Sequence, residues 1–393
     1  MENIINIAKN ANSAFLKTMN LCLDKKNEAL ASISKKIQQN SNLIFDANKK
    51  DLEQAQIMLE EGKINQTTFN RLKLDENKLS NLIQGLIDLI ELEDPVNQIL
   101  WQKELDEDLI LKKISTPIGV IGVIFEARPD CFIQIASLII KSGNCAILKG
   151  GTEANNTNTI FSKLVNEALD EINYPKNTIN LVYSREDIKE ILTLDEYISL
   201  IIPRGSNNLV KYIKENTKIP VLGHASGICH IFIDENMDYN NAKNIIIDAK
   251  TQYPSACNAV ETILIHKNWK HLEQLKEDLS KAEIKIIENP NNYAHEYSDT
   301  VLSLKIVDNI EAAIEHINKF GSGHTDSILS NNQENIEKFM NFVDSACVFS
   351  NCSTRFSDGF RFGFGAEVGI STNKTQARGP VGLDGLTIYK YKL

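Results

Sequence analysis

Pro117-Ile118-Gly119-Val120-Ile121-Gly122-Val123-Ile124-Phe125 is the stretch that decides the fold. It is apolar throughout and shorter than most helices, so it reads as a strand buried on both faces. A helix-like run follows at residues 133–141, then a second apolar strand at Cys145-Ala146-Ile147-Leu148. Residues 153–172 read as a helix, 178–182 as a strand and 197–202 as a further strand. The turn Pro203-Arg204-Gly205-Ser206 then leads into a helix over 208–215. Short apolar strands alternating with helices specify a mainly parallel sheet, and such sheets bind ligands at the carboxyl ends of their strands.

Working outward, the alternation resumes with strands at 229–233 and 260–265 and helices at 241–250, 269–282 and 309–318. Residues 1–94 read as helical, with Leu30, Ile33 and Ile37 at helical spacing, and Asp94-Pro95 ends that region. Residues 99–116 alternate as a β-hairpin around the polar turn Asp106-Glu107-Asp108. Near the C-terminus, Leu386-Thr387-Ile388-Tyr389-Lys390-Tyr391 reads as an edge strand, paired either with another subunit or within its own chain.

The 393 residues suffice for two or three domains, and 42% hydrophobic with 24% charged residues is ordinary for a globular protein. A net charge of −10 argues against nucleic acid as a partner. Seven cysteines, an odd number with no C-x-x-C pair, fit a reducing compartment. The opening Met1-Glu2-Asn3-Ile4-Ile5-Asn6 lacks the basic start and apolar core of a secretory signal, and no apolar run is long enough for a membrane span. A cytoplasmic protein without membrane contact is therefore expected.

The chemistry centres on Tyr253-Pro254-Ser255-Ala256-Cys257-Asn258, a small-residue turn between a helix-like run and a β-rich run. Cys257 there is either a nucleophile held at a cleft or one more small buried hydrophobe. Two strand–turn–helix corners, Lys149-Gly150-Gly151 and Arg204-Gly205-Ser206, offer backbone N–H groups and a cation to an anion, or are plain connections. No G-x-G-x-x-G follows a strand. Of 42 basic residues only seven are arginine, and Arg128, Arg204, Arg355, Arg361 and Arg378 all sit in Gly/Pro-rich or polar loops. Lysine cannot reproduce the planar fork of arginine, so these five either grip carboxylate or phosphate or clamp backbone carbonyls. The ligand role is favoured for Arg128 and Arg355. His224 and His230 flank a glycine turn, but no third ligand is evident in the sequence, and no metal is expected.

Taken in order, these segments resemble the γ-glutamyl phosphate reductases, or glutamate-5-semialdehyde dehydrogenases, of the aldehyde dehydrogenase superfamily. The resemblance rests on residues 117–130 (PIGVIGVIFEARPD), 141–151 (KSGNCAILKGG), 202–210 (IPRGSNNLV) and 221–230 (VLGHASGICH). It continues through 248–264 (DAKTQYPSACNAVETIL), 321–329 (GSGHTDSIL), 351–372 (NCSTRFSDGFRFGFGAEVGIST) and 377–386 (ARGPVGLDGL). It implies an α/β fold with two parallel-sheet domains and a small β bridging element. The implied boundaries are 1–98, 117–222 and 351–372 for dinucleotide binding, 223–350 for catalysis, and 99–116 with 373–393 for bridging and homo-oligomerisation.

The resemblance also implies NADPH-dependent reduction of L-glutamyl 5-phosphate to the 5-semialdehyde, the second step of proline synthesis, through a thioester on Cys257. The Cys257 N–H and a neighbouring donor would hold the oxyanion. Arg128 falls where oxidising relatives carry an asparagine donor and would face the phosphate, with Asn258, Ser353, Thr354 and Arg355 as further substrate residues. NADP is implied at Lys149, Gly150, Gly151, Arg204, Gly205 and Ser206. The glutamate base of hydrolytic members is missing from 224–230, which disfavours a hydrolytic NAD(P)-dependent dehydrogenase. The intact Cys257, Arg128 and Lys149 disfavour an inactive binding protein. A separate glutamate 5-kinase is the expected partner. The chain departs from the pattern at Ser226, where relatives carry an acidic residue, and at Cys145 and Cys352, where a small residue is usual.

Overall fold

The computed structural model describes residues 3–393 apart from Ala225, and the side chains of all of these except Thr67 and Arg185. The chain divides into two units, one of Met1–Gly223, Gly363–Gly369 and Thr375–Leu393, the other of His224–Phe362 and Ile370–Lys374.

The first unit begins with helices Ile4–Thr18, Leu23–Gln39, Ser41–Glu60, Gln66–Leu72 and Glu76–Glu91. Asn3, Asn65 and Asp75 cap three of them by accepting a bond from a first-turn amide. Leu30, Ile33 and Ile37 are buried, in one apolar cluster with Phe132, Ile133 and Phe161. Strands β1 (Ile99–Asp106) and β2 (Leu109–Pro117) pair as the expected hairpin, turned at Asp108 with φ 58°. The C-terminal strand Thr387–Lys392 lies antiparallel along β2, with Lys390 opposite Ile114. Its own chain therefore takes up this strand. β1 is exposed along its whole length and displays Leu100, Trp101 and Leu105.

Strands β3 (Val120–Phe125), β4 (Cys145–Lys149), β5 (Ile179–Val182) and β6 (Leu200–Arg204) form a parallel sheet in the order β5-β4-β3-β6. Every residue of β3 is buried, and each of its large aliphatic side chains contributes roughly 1.5–3 kcal/mol of transfer free energy. Helices Asp130–Lys141, Asn155–Glu171, Arg185–Ile191 and Asn207–Glu215 alternate with these strands. The start of β6 falls later than the apolar run suggests. Tyr197 closes a turn by donating to the Leu194 carbonyl, and the strand extends through Pro203 and Arg204 of the expected turn.

The second unit is built on six parallel strands: β7 (Cys229–Ile233), β8 (Val260–His266), β9 (Lys285–Glu288), β10 (Val301–Val307), β11 (Thr325–Leu329) and β12 (Cys347–Ser350). Their order is β12-β11-β7-β8-β10-β9. Helices Tyr239–Thr251, Leu272–Lys281, Ile310–Phe320 and Gln333–Phe342 connect them. The polarity of Thr325-Asp326-Ser327 hides β11 in the sequence, yet all five of its residues are buried. Its polar groups are satisfied inside. Asp326 accepts from the His230 amide at 2.7 Å and from His230 Nδ1 at 3.0 Å and takes the Ser345 hydroxyl, while Ser327 donates to the Cys352 carbonyl at 2.8 Å. Residues 351–362, grouped from the sequence with the dinucleotide-binding part, fold with this second unit. Among the described residues, no helix is long and apolar enough to cross a membrane.

Candidate active site

Cys257 sits in the turn between helix Tyr239–Thr251 and β8. The turn is closed by Ala256 N–H on the Tyr253 carbonyl and Ala259 N–H on the Ala256 carbonyl, each at 3.0 Å. Its two flanks are joined by a buried ion pair. Lys250 Nζ, at the end of the helix, lies 3.2 Å from Glu261 Oε1 at the start of β8, with both side chains fully enclosed. The ammonium is close enough for the charge but misaligned for a hydrogen bond. The carboxylate accepts instead from the Tyr297 and Ser298 amides at 3.1 and 3.4 Å. Burial pushes Glu261 up to about 7, against the pull of Lys250, and pushes Lys250 down. Each charge depends on the other. Lys250→Met is expected to cost about 3–5 kcal/mol, the usual penalty for leaving one partner of such a pair buried alone. Urea unfolding of this variant beside Lys250→Met/Glu261→Gln checks it, since the double variant should recover much of the loss.

The backbone at Cys257 is wedged from behind. A Cβ on Gly227 would lie 2.0 Å from the Cys257 carbonyl oxygen and 2.4 Å from its Cα. Ile228 N–H is anchored on Ser322 Oγ at 2.9 Å, and Cys229 Sγ donates to the Cys257 carbonyl at 3.3 Å. Cys257 itself is half-buried. Its sulfur lies 3.2 Å from Nε2 of His324, a fully buried histidine whose Nδ1 is 2.8 Å from Thr325 Oγ1. Burial pushes up the thiols of Cys131, Cys145, Cys229 and Cys352, Cys145 to about 12. Those four are held as thiols, which are poor nucleophiles.

Arginines gather around the same turn. Arg355 donates through Nε to Gln252 Oε1 at 3.1 Å and through a terminal nitrogen to Asn258 Oδ1. Arg361 reaches the same Gln252 oxygen at 3.2 Å. Two guanidinium groups on one amide oxygen repel each other and favour an anion beside them. Burial pushes Arg355 below its ordinary value, and Arg361 adds to this. Asn258 is engaged at both ends, since its Nδ2 donates to the Ser357 carbonyl at 2.8 Å. It therefore orients Arg355. Ser353 accepts from the Arg355 amide at 3.3 Å. Thr354 Oγ1 is buried with no hydrogen-bond partner among the described residues.

Of the sequence-expected residues, Cys257, Asn258, Ser353, Thr354 and Arg355 come together here. His324, Gln252 and Gly227 were given no role from the sequence. The only trace of the histidine was the segment 321–329, where nothing ties an imidazole to a cysteine 67 positions earlier. His230, one of the two histidines of the glycine turn, faces Asp326 instead of the thiol. Ala225 of that turn lies outside the described residues.

The first unit carries the other expected residues. Arg128 is exposed and lies 3.6 Å from Asp130 Oδ2, next to Ala127, whose φ of 44° is unfavourable for any residue with a Cβ. The corner after β4 differs from expectation in one respect. The first amides of helix Asn155–Glu171 are already bound, those of Asn156 and Thr157 donating to the buried Asp51 carboxylate at 3.0 and 2.8 Å. Two amides of that helix end are thus already engaged by a carboxylate of the same unit. Lys149 is buried and donates to the Gly150 carbonyl, beside Asn158, whose side-chain amide is buried with no hydrogen-bond partner among the described residues. A Cβ on Gly150 would lie 2.2 Å from that amide.

The corner after β6 does suit an anion. Ser206 N–H donates to Glu126 Oε2 at 2.8 Å, and a Cβ on Gly205 would collide with that carboxylate at 2.4 Å. The amide at the start of helix Asn207–Glu215 thus already faces a negatively charged oxygen, carried on a flexible side chain. Arg204 clamps the Glu367 carbonyl at 3.3 Å. Gly205 and Ser206, together with Lys149 at the corner after β4, are the residues of this unit that could hold a dinucleotide.

The aldehyde dehydrogenase family model matches residues 1–294. The chain is 58% identical to the γ-glutamyl phosphate reductase of Brachyspira hyodysenteriae, over 99% of this chain and 94% of that one. It is 50% identical to that of Acetivibrio thermocellus, over 94% and 88%. The crystal structure of the Thermotoga maritima γ-glutamyl phosphate reductase superposes with a TM-score of 0.95 at 35% identity, covering 100% of this chain and 98% of that one.

Proposed function

We propose that this chain, which belongs to the aldehyde dehydrogenase family and within it to the γ-glutamyl phosphate reductases, reduces L-glutamyl 5-phosphate to L-glutamate 5-semialdehyde and phosphate with NADPH. The step serves proline biosynthesis. The observation that carries the reading is the Cys257 thiol 3.2 Å from the His324 imidazole on a turn that also holds Arg355. The thiolate attacks the acyl carbon as His324 takes the thiol proton, and phosphate departs. Arg355 and Arg361 hold the anionic substrate, and Asn258 keeps Arg355 in place. Arg128 is assigned to the phosphate. The Cys257 amide and a second donor hold the oxyanion at both acyl stages.

NADPH, when bound, supplies the hydride that resolves the thioester. Gly205 and Ser206 present backbone to its pyrophosphate, Lys149 its cation to the adenosine ribose and 2′-phosphate, with Gly150 and Gly151 giving room. Arg204 acts there through the loop it clamps. The first unit is thus the dinucleotide-binding part and the second the catalytic part. The exposed apolar side chains of β1 support a homo-oligomer formed through the small antiparallel sheet. Seven free cysteines suit a reducing cytoplasm, where a separate glutamate 5-kinase would supply the substrate.

The test is the reverse reaction. With glutamate semialdehyde, NADP⁺ should be reduced only when inorganic phosphate is present, and NAD⁺ more slowly. Equal rates with and without phosphate would mean that water resolves the thioester, and the hydrolytic alternative would replace this reading.

A further inference from the structure

His324 is one of two histidines at the thiol. His224 packs edge-on against it, with ring centroids 5.1 Å apart and an interplanar angle of 80°. One ring nitrogen of each histidine and the Cys257 sulfur lie within 4.8 Å of one another. Each outer nitrogen has a hydrogen-bond partner. His224 Nδ1 donates to the Ile370 carbonyl at 3.0 Å, which makes Nε2 the lone-pair nitrogen of the neutral ring. His324 Nδ1 is 2.8 Å from Thr325 Oγ1, and its Nε2 lies 3.2 Å from the sulfur. Histidines that bind metal are oriented in this way, with the second ring nitrogen tied to a carbonyl or hydroxyl.

We propose that His224, Cys257 and His324 form a three-ligand site for a thiophilic divalent cation, zinc(II) foremost, which reversibly caps the nucleophile. In a tetrahedral zinc site, ligand atoms stand roughly 3.3–3.6 Å apart. The observed trio therefore needs only side-chain adjustment to close on the ion. The sulfur binds as thiolate, so one proton is released for each ion captured, nothing is oxidised or reduced, and water fills the fourth position. One sulfur and two imidazole nitrogens select zinc over magnesium, which takes oxygen ligands, while Arg355 and Arg361 nearby weaken the affinity for any cation and keep the capping reversible. The site is distinct from the catalytic use of Cys257 and occupies it in competition with acylation. His224, which has no part in the proposed reaction, completes it.

The experiment is a titration of the full-length, chelator-treated protein with Zn²⁺ against a chromophoric competitor. In parallel, Co²⁺ is added and the thiolate-to-metal charge-transfer band in the near ultraviolet is followed. One equivalent per chain should bind, with a charge-transfer band that Cys257→Ala removes. His224→Ala and His224→Asn should each weaken binding by more than about tenfold, the least expected when even an outer partner of a metal ligand is removed. Zn²⁺, but not Mg²⁺, should inhibit turnover, and each His224 variant, compared with its own metal-free rate, should need correspondingly more. Near-ultraviolet circular dichroism of the metal-free variants distinguishes lost ligation from lost folding. Wild-type affinity in both folded His224 variants, or a charge-transfer band that survives Cys257→Ala, would overturn the site. The binding arms need no turnover, so they decide this question even if the reductase assay fails.

Discussion

Cys257→Ala should reduce kcat for glutamyl phosphate reduction by a factor on the order of 10⁶, the scale seen when a covalent nucleophile is removed, while NADPH binding is retained. The thiol is the strongest nucleophile on its turn, since the Ser255 hydroxyl is far less readily ionised. The thiols of Cys131, Cys145, Cys229 and Cys352 are all pushed up by burial and cannot take its place. The residues assigned to the nucleotide belong to the other unit, so their affinity should not depend on the sulfur. Single-turnover kinetics and an NADPH fluorescence titration on the same preparation check both halves. Near-normal turnover in the alanine variant would dispose of the thioester route.

Gly227→Ala should be almost as damaging without touching any reacting atom. The added methyl would lie 2.0 Å from the Cys257 carbonyl oxygen and 2.4 Å from its Cα, and neither is a side-chain atom that can rotate aside. The turn bearing the nucleophile must move, and a displacement of about 1 Å costs roughly 10²-fold in rate. Overpacking of this kind costs about 1–3 kcal/mol in stability. The expected result is a large fall in kcat, an altered rate of Cys257 alkylation by iodoacetamide, and a lowered melting temperature. A variant with unaltered alkylation and turnover would show that the backbone can yield there without moving the sulfur.

The parallel-sheet architecture was legible wherever a strand was apolar throughout. β3 is such a strand throughout, β4, β7 and β8 were readable from their apolar majority despite Lys149, His230, Glu261 and Thr262, and Leu30, Ile33 and Ile37 face the core as their spacing required. β11 was not legible, because its aspartate and serine read as loop. Their burial depends on His230, Ser345 and the Cys352 carbonyl, partners that only the fold brings near. The site divides in the same way. Cys257 and Arg355 could be singled out from local composition and arginine economy, and resemblance supplied their roles. His324 and Gln252 act by proximity across sequence gaps that carry no local signal. The Lys149 corner shows the converse, since the expected amides are bound by Asp51 from a helix about a hundred residues earlier.

The small antiparallel sheet bears on the order of events during synthesis. β2 is paired on one side by β1, its immediate neighbour in sequence, but on the other by Thr387–Lys392. A nascent chain can form the hairpin as soon as both its strands clear the ribosome. The other edge of β2 then stays open while the remainder of both units is translated. This sheet is therefore completed only after translation has passed Lys392, when the whole of the second unit has already been made.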